Sequence, residues 1–383
     1  MEGVFVGDGE SINAPSDTGL DRVVPWRVIL LSQKIDNRPL DPRAMRERFP
    51  IPNLINFATF LASGSLAIAF LTGASAAYRS SQWLGFCIAV FCFGLINNTN
   101  FSLLHEAVHG ILNSHRRRNE VLGVIAGAFF PTSFTLQQYF HLGHHCRNRT
   151  DAEMFDLYYP TDNLWIKRFV IYAMPAGIYW LSAASANVLF LFLPPLLSWR
   201  RLRESALMKH SGFDSMLSGI PDTARMLRKI RFQIILVLGF QAVTIWLLKI
   251  HPVAWLACYW VFGMIWGSLQ YTDHAFSPRD IRYGAWNLKV DPLTRWIFLN
   301  YHFHLAHHIY PFLPWIYLPR FVTQEEVRPS AWGNFWKLMC GPFLTTEPAP
   351  SANRDLRTIV YDGTSMPPIS DEREVAVESR TQA

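Results

Sequence analysis

Four long apolar runs in two pairs dominate the pattern of hydrophobic and polar positions. Leu54 to Tyr78 is almost uncharged and exceeds the roughly 20 residues with which a helix crosses a bilayer. Trp83 to Phe101 follows after the short turn Arg79-Ser80-Ser81-Gln82, so these two runs predict a helical hairpin whose ends return to one side. Phe232 to Ile250 and Val253 to Thr272 repeat the arrangement around His251-Pro252. A further apolar stretch, Ile166 to Trp199, carries Pro175 and the pair Pro194-Pro195. Proline removes a helical donor and clashes with the preceding turn, so this stretch is expected to lie in the interface or to enter the membrane and return. The pattern predicts an all-α integral membrane fold of two transmembrane hairpins plus interfacial helices.

Charge orients this scheme. Arg43, Arg46 and Arg48 precede the first run, and Arg200, Arg201, Arg203, Arg225, Arg228, Lys229 and Arg231 fill the loop before the second pair, as expected of cytoplasmic segments. The net charge of +6 flanks apolar segments and forms no basic stripe in a polar domain, which argues against nucleic acid. Five scattered cysteines form no CxxC pair and suggest neither a disulfide framework nor a zinc ribbon. Met1 to Gln33 holds Asp8, Glu10, Asp17 and Asp21 before any apolar run, unlike a secretory signal. Residues 1–50 are expected to be a polar, partly disordered segment, residues 51–344 the membrane catalytic domain, and residues 345–383 a disordered tail.

Chemistry enters with histidine. Of thirteen histidines, eight fall in three boxes: His105 and His109; His141, His144 and His145; His304, His307 and His308. His105-Glu106-Ala107-Val108-His109 sets two imidazoles one helical turn apart on one face. The second and third boxes share the pattern HxxHH, in which positions i, i+3 and i+4 converge on one side of a helix. Each box adjoins a membrane boundary. Ligands on both sides of Ile166 to Trp199 must reach one site, which places all boxes on a cytoplasmic helical cap. His274, just past the last apolar run and beside Asp273, is read as a ninth ligand. His115, His210 and His251 are read as ordinary solvated or hydrogen-bonded residues, and His302, two residues from His304, as pointing elsewhere. Eight or nine imidazoles exceed the needs of one four-coordinate zinc and suit two metals, although imidazole by itself does not choose the element.

The three boxes, in this order and between these hairpins, resemble the membrane fatty acid desaturase superfamily, which includes related hydroxylases and carotenoid ketolases. The similarity runs from about Leu54 to Arg320 and extends to Pro314-Trp315 and Leu318-Pro319 after the third box. The resemblance implies two non-haem iron ions held by His105, His109, His141, His144, His145, His304, His307 and His308, with His274 matching an additional histidine. It implies dioxygen as co-substrate and oxidation of a long fatty acyl chain, most commonly desaturation, with hydroxylation or ketolation as the alternative. Gln270 stands where relatives place an amide that reaches the site through water. No box-three carboxylate carries over, because Leu305-Ala306 occupies its place. Glu106, Asp151 and Asp273 lie beside ligands and are candidates for holding imidazole tautomers.

No haem motif, iron–sulfur cysteine cluster or dinucleotide fingerprint is visible, so electrons are expected from a separate donor of ferredoxin or cytochrome b5 type with its reductase. The acyl substrate is expected as a lipid, CoA or carrier-protein ester, and the location as a bacterial inner membrane rather than endoplasmic reticulum. Arg147, Arg149, Lys167 and Arg168 are read as membrane-surface charge or as contacts for an acidic head group or carrier. The main rival is a zinc membrane protease, since His105 to His109 also fits HExxH with Glu106 as general base; it leaves both HxxHH triads unexplained.

Overall fold

A computed structural model describes residues 46–193, 199–218, 220, 224–323 and 326–350. The expectations for Pro194-Pro195 and for most of the two polar tails fall outside these residues. The described chain is mostly helical; its one sheet pairs Leu157–Tyr158 (β1) in parallel with Phe343–Leu344 (β2).

Among the described residues, four helices are long and apolar enough to cross a membrane: α1 (Asn53–Arg79), α2 (Trp83–Val108), α7 (Ala224–Leu247) and α8 (Pro252–Gln270). Between α2 and α7 lie α3 (Arg116–Phe129), α4 (Phe134–Arg147), α5 (Leu164–Ala173) and α6 (Ile178–Phe192); after α8 come α9 (Pro292–Ile297), α10 (His304–Ile309) and α11 (Ala331–Met339). Pro252 opens α8 at a position where its missing N–H costs nothing, and His251 Nδ1 accepts from Val253 N at 3.2 Å. The bend anticipated at Pro175 is present: α5 and α6 meet at 88°, across a break that ends at Gly177 with φ of 79°, a conformation that suits glycine.

α2 packs against α1 and α8, around a core that includes Leu71, Phe93, Leu104, Tyr259 and Phe262. On α1, Leu54, Phe57 and Leu61 are exposed, an apolar outer surface of the kind a hydrocarbon phase covers. Several buried polar side chains of α2 find hydrogen-bond partners within the protein, as a membrane interior favours. Asn97 Nδ2 donates to Phe129 O at 2.9 Å, and Ser63 Oγ to Asn100 Oδ1 at 2.6 Å. Thr99 Oγ1 donates to Ile297 O at 2.7 Å and Ser102 Oγ to Phe298 O at 3.1 Å. The latter two bonds pin the segment before α10 to α2 and so fix the third box relative to the first.

Candidate metal centre

Four pieces of chain converge on one buried region. The apolar run ending at Phe101 continues helically to Val108, so His105 lies in the last turn of α2 and His109 caps it. α4 supplies His141, His144 and His145, the turn after α8 supplies His274, and α10 supplies His304, His307 and His308. Nitrogens of His105, His109, His141 and His307 form one compact group that could hold a metal ion; those of His144, His274, His304 and His308 form another. His145 adjoins the first, its Nε2 lying 3.1 Å from Nε2 of both His141 and His307. Each HxxHH triad is therefore divided between two groups, where spacing alone suggested convergence on one side.

Hydrogen bonds fix the tautomers in the second group. His144 Nδ1 lies 2.6 Å from Glu153 Oε2 and His274 Nδ1 lies 2.8 Å from Gly284 O. Both partners only accept, so each imidazole carries its proton on Nδ1 and presents a bare Nε2 lone pair. Those two Nε2 atoms face each other at 3.1 Å. Two lone pairs so close repel unless a cation lies between them. The spacing itself suits a metal: with bonds of about 2.1 Å, adjacent ligands stand about 3.0 Å apart at right angles and about 3.4 Å apart in a tetrahedron. The all-imidazole donor set fits iron, zinc or copper. Further orphaned groups point the same way: Nε2 of His105, His109 and His308 and both oxygens of Asp273 are buried without a hydrogen-bond partner.

Burial, reinforced by neighbouring imidazoles, pushes His141, His145, His274, His304, His307 and His308 well below the ordinary histidine value. They are neutral in the fold, the state a ligand requires. An unfolded histidine titrates near pH 6.5, so below that pH the unfolded chain binds more protons and stability falls as pH drops. The melting temperature of metal-free protein in detergent is expected to decline steadily below about pH 6.5; a flat profile from pH 7 to 5 would contradict neutral burial of the cluster.

The orienting partners only partly match the sequence reading. Asp273 is fully buried, with Oδ2 3.4 Å from His304 Nδ1 and Oδ1 3.8 Å from His274 Nε2, and burial pushes its carboxyl well above the usual range. Glu106 Oε2 accepts from Trp315 N at 3.1 Å, and its Oε1 is 4.0 Å from His105 Nδ1; a carboxylate engaged by the backbone is poorly placed as the general base of a protease. Asp151 belongs elsewhere: it is half exposed and pairs with Arg279 at 2.7 Å, because the 3-10 turn Asp151–Glu153 directs Glu153 to His144 in its place. Gln270 Oε1 accepts from Tyr301 OH at 3.2 Å. Three of the four supposed surface cations are engaged internally. Arg149 is buried against Asp156, Lys167 is buried with Nζ on Met154 O at 2.7 Å, and Arg147 pairs with Glu153 at 3.3 Å. His302 is buried beside Phe303 and joins neither group.

Sequence reasoning missed Glu153 and Gly284. A Cβ at Gly284 would collide with Asp280 O and with Arg149 Cγ, and would lie 2.9 Å from Asn148 Nδ2. Gly284→Ala is thus expected to displace the carbonyl that orients His274. Loss of such a partner commonly costs 10–100-fold in affinity or activity, readable as metal content of the purified variant; unchanged metal content would remove Gly284 from this role.

An apolar cavity opens onto the second group. Phe140, Met174, Tyr179, Phe213 and Trp266 line its walls, and His141, His144, His274 and His304 border it. Tyr179 stacks on Trp266 with an interplanar angle of 10°.

No curated protein matches the chain. A family model described as fatty acid desaturase matches residues 81–333, more than half the chain, and spans all three boxes. The chain belongs to the fatty acid desaturase family, and is an oxidoreductase with a membrane context and a histidine-rich metal-binding region.

Proposed function

We propose that this protein oxidises a long fatty acyl chain with dioxygen at a diiron site held by His105, His109, His141, His144, His145, His274, His304, His307 and His308, and that the product is an alkene. The observation that carries this reading is the pair of bare Nε2 atoms of His144 and His274, 3.1 Å apart and bordering the apolar cavity. Iron held by these imidazoles would supply the dioxygen chemistry needed at an unactivated C–H bond, which no side chain can supply. Glu153 and Gly284 O hold protons at Nδ1 of His144 and His274, and Asp273 lies against Nδ1 of His304. Tyr179, Trp266 and Phe140 exclude water and confine the chain beside those imidazoles.

In this reading residues 51–344 form the catalytic domain, with two transmembrane hairpins beneath a cytoplasmic cap and the polar tails outside it. Electrons come from a separate ferredoxin or cytochrome b5 type donor, and the acyl chain arrives as a lipid, CoA or carrier-protein ester, in a bacterial inner membrane. Mass spectrometry of lipids from cells expressing the chain, against cells expressing His144→Ala, tests it. A product lighter by two hydrogens supports desaturation; one heavier by an oxygen assigns hydroxylation to the same site.

A further inference from the structure

Helix α11 has two faces with different partners. Its inner face carries Asn334 and Leu338, both buried. Asn334 Nδ2 donates to Thr272 O at 2.5 Å and to Ala275 O at 3.1 Å, the carbonyls on either side of Asp273 and His274. Leu338 packs among Ile171, Met174 and Tyr271. Its outer face carries Trp332 and Trp336, one helical turn apart and 71% and 60% exposed. Two large aromatic surfaces left in water on a nine-residue helix are a cost unless something covers them.

The depth of α11 suggests what covers them. Thr272 lies two residues beyond Gln270, the end of the candidate span α8, so Asn334 ties α11 to the level at which that apolar helix leaves the membrane. α5 packs against α11, with Tyr172 OH donating to Met339 O at 3.3 Å. It shows the same outward character, with Trp165 78% and Phe169 52% exposed. Because α5 meets the apolar helix α6 at 88°, it lies along the bilayer plane if α6 dips into it. Arg168 reaches over the Trp165 ring at 5.8 Å and Lys337 over the Phe276 ring at 4.1 Å, giving the surface cations suited to lipid phosphates. Tryptophan beside cations, at the level where spans end, is the composition of a membrane–water boundary.

We propose that α5 and α11 form a seating surface whose occupant is the interfacial layer of a phospholipid bilayer, and that α11 transmits this contact through Asn334 to the segment bearing His274. This goes beyond the oxidation reading and needs neither iron nor product for its test. The full chain is reconstituted in vesicles of phosphatidylcholine and phosphatidylglycerol containing a diazirine-bearing phosphatidylcholine, irradiated and mapped by peptide mass spectrometry. Label is expected on 331–339 and 164–173 as well as on the spans. In Trp332→Glu/Trp336→Glu, label on 331–339 should be lost while label on α1 persists, and amide exchange at 272–276 should speed up severalfold in vesicles. In detergent the variant should melt as the wild type does, since both side chains are exposed. Labelled spans with no label on 331–339 would overturn the proposal, as would unchanged exchange at 272–276. A cross-link between α11 helices of two copies at low protein-to-lipid ratio would reject it in favour of self-association.

Discussion

Replacing His144 by alanine is expected to reduce product formation by at least about a hundredfold, and to lower bound metal while membrane insertion and helical content stay unchanged. The expectation rests on geometry. His144 joins Glu153 to His274 at the border of the apolar cavity, with Nδ1 at 2.6 Å from the carboxylate and Nε2 at 3.1 Å from its neighbour. Changing even the residue that orients a ligand costs 10–100-fold, so loss of the ligand costs at least that. Glu153→Gln supplies the graded comparison. Its amide oxygen still accepts the Nδ1 proton, so it should fall by less than Glu153→Ala, with both above His144→Ala. Metal analysis and turnover on one membrane preparation decide the order; full turnover in His144→Ala would remove it from the site.

The second large effect is expected in stability. Arg149 and Asp156 are both fully buried, with Nη1 to Oδ1 at 2.6 Å and Nη2 to Oδ2 at 3.1 Å. Tyr271 OH donates to Asp156, and Phe276 N donates to it at 2.6 Å. Burial opposes ionisation of Asp156, but Arg149 and these donors hold its carboxyl below the ordinary value. Arg149→Met leaves an unpaired buried carboxylate and should destabilise by about 3–5 kcal/mol, whereas the double change Arg149→Met/Asp156→Leu should recover most of it. Thermal unfolding in detergent at neutral pH measures both. A double variant no more stable than the single would show that the loss is one of packing. The same network joins the end of α4 to the turn bearing His274, so metal retention should follow stability in these variants.

Much of the site was legible because it is written in local spacing. Apolar runs marked α1, α2, α7 and α8, Pro175 marked the break between α5 and α6, and box spacing picked out the histidines that the fold gathers. His274 was legible from its place beside Asp273 at the end of a run. The remainder depends on chain reversal and on backbone atoms, which leave no spacing signal. Glu153 reaches His144 only because a 3-10 turn follows α4, a reversal that position in the sequence, which favours neighbouring Asp151, does not reveal. Gly284 acts through a carbonyl oxygen, and Arg149 and Lys167 look like surface charges until their partners Asp156 and Met154 O are in view. The division of each HxxHH triad between two groups is set by how α4 and α10 face each other, which is a tertiary property.

That division has a thermodynamic consequence. α4 gives His141 to one group and His144 to the other, and α10 gives His307 to one and His304 and His308 to the other. If each group holds one ion, as proposed, the first ion would fix ligands of both groups, because each helix serves both, and the second would meet a site with less conformational freedom left to lose. On that reading loading would be positively cooperative, and a titration with ferrous iron is expected to pass from empty to doubly filled protein with little singly filled species between them.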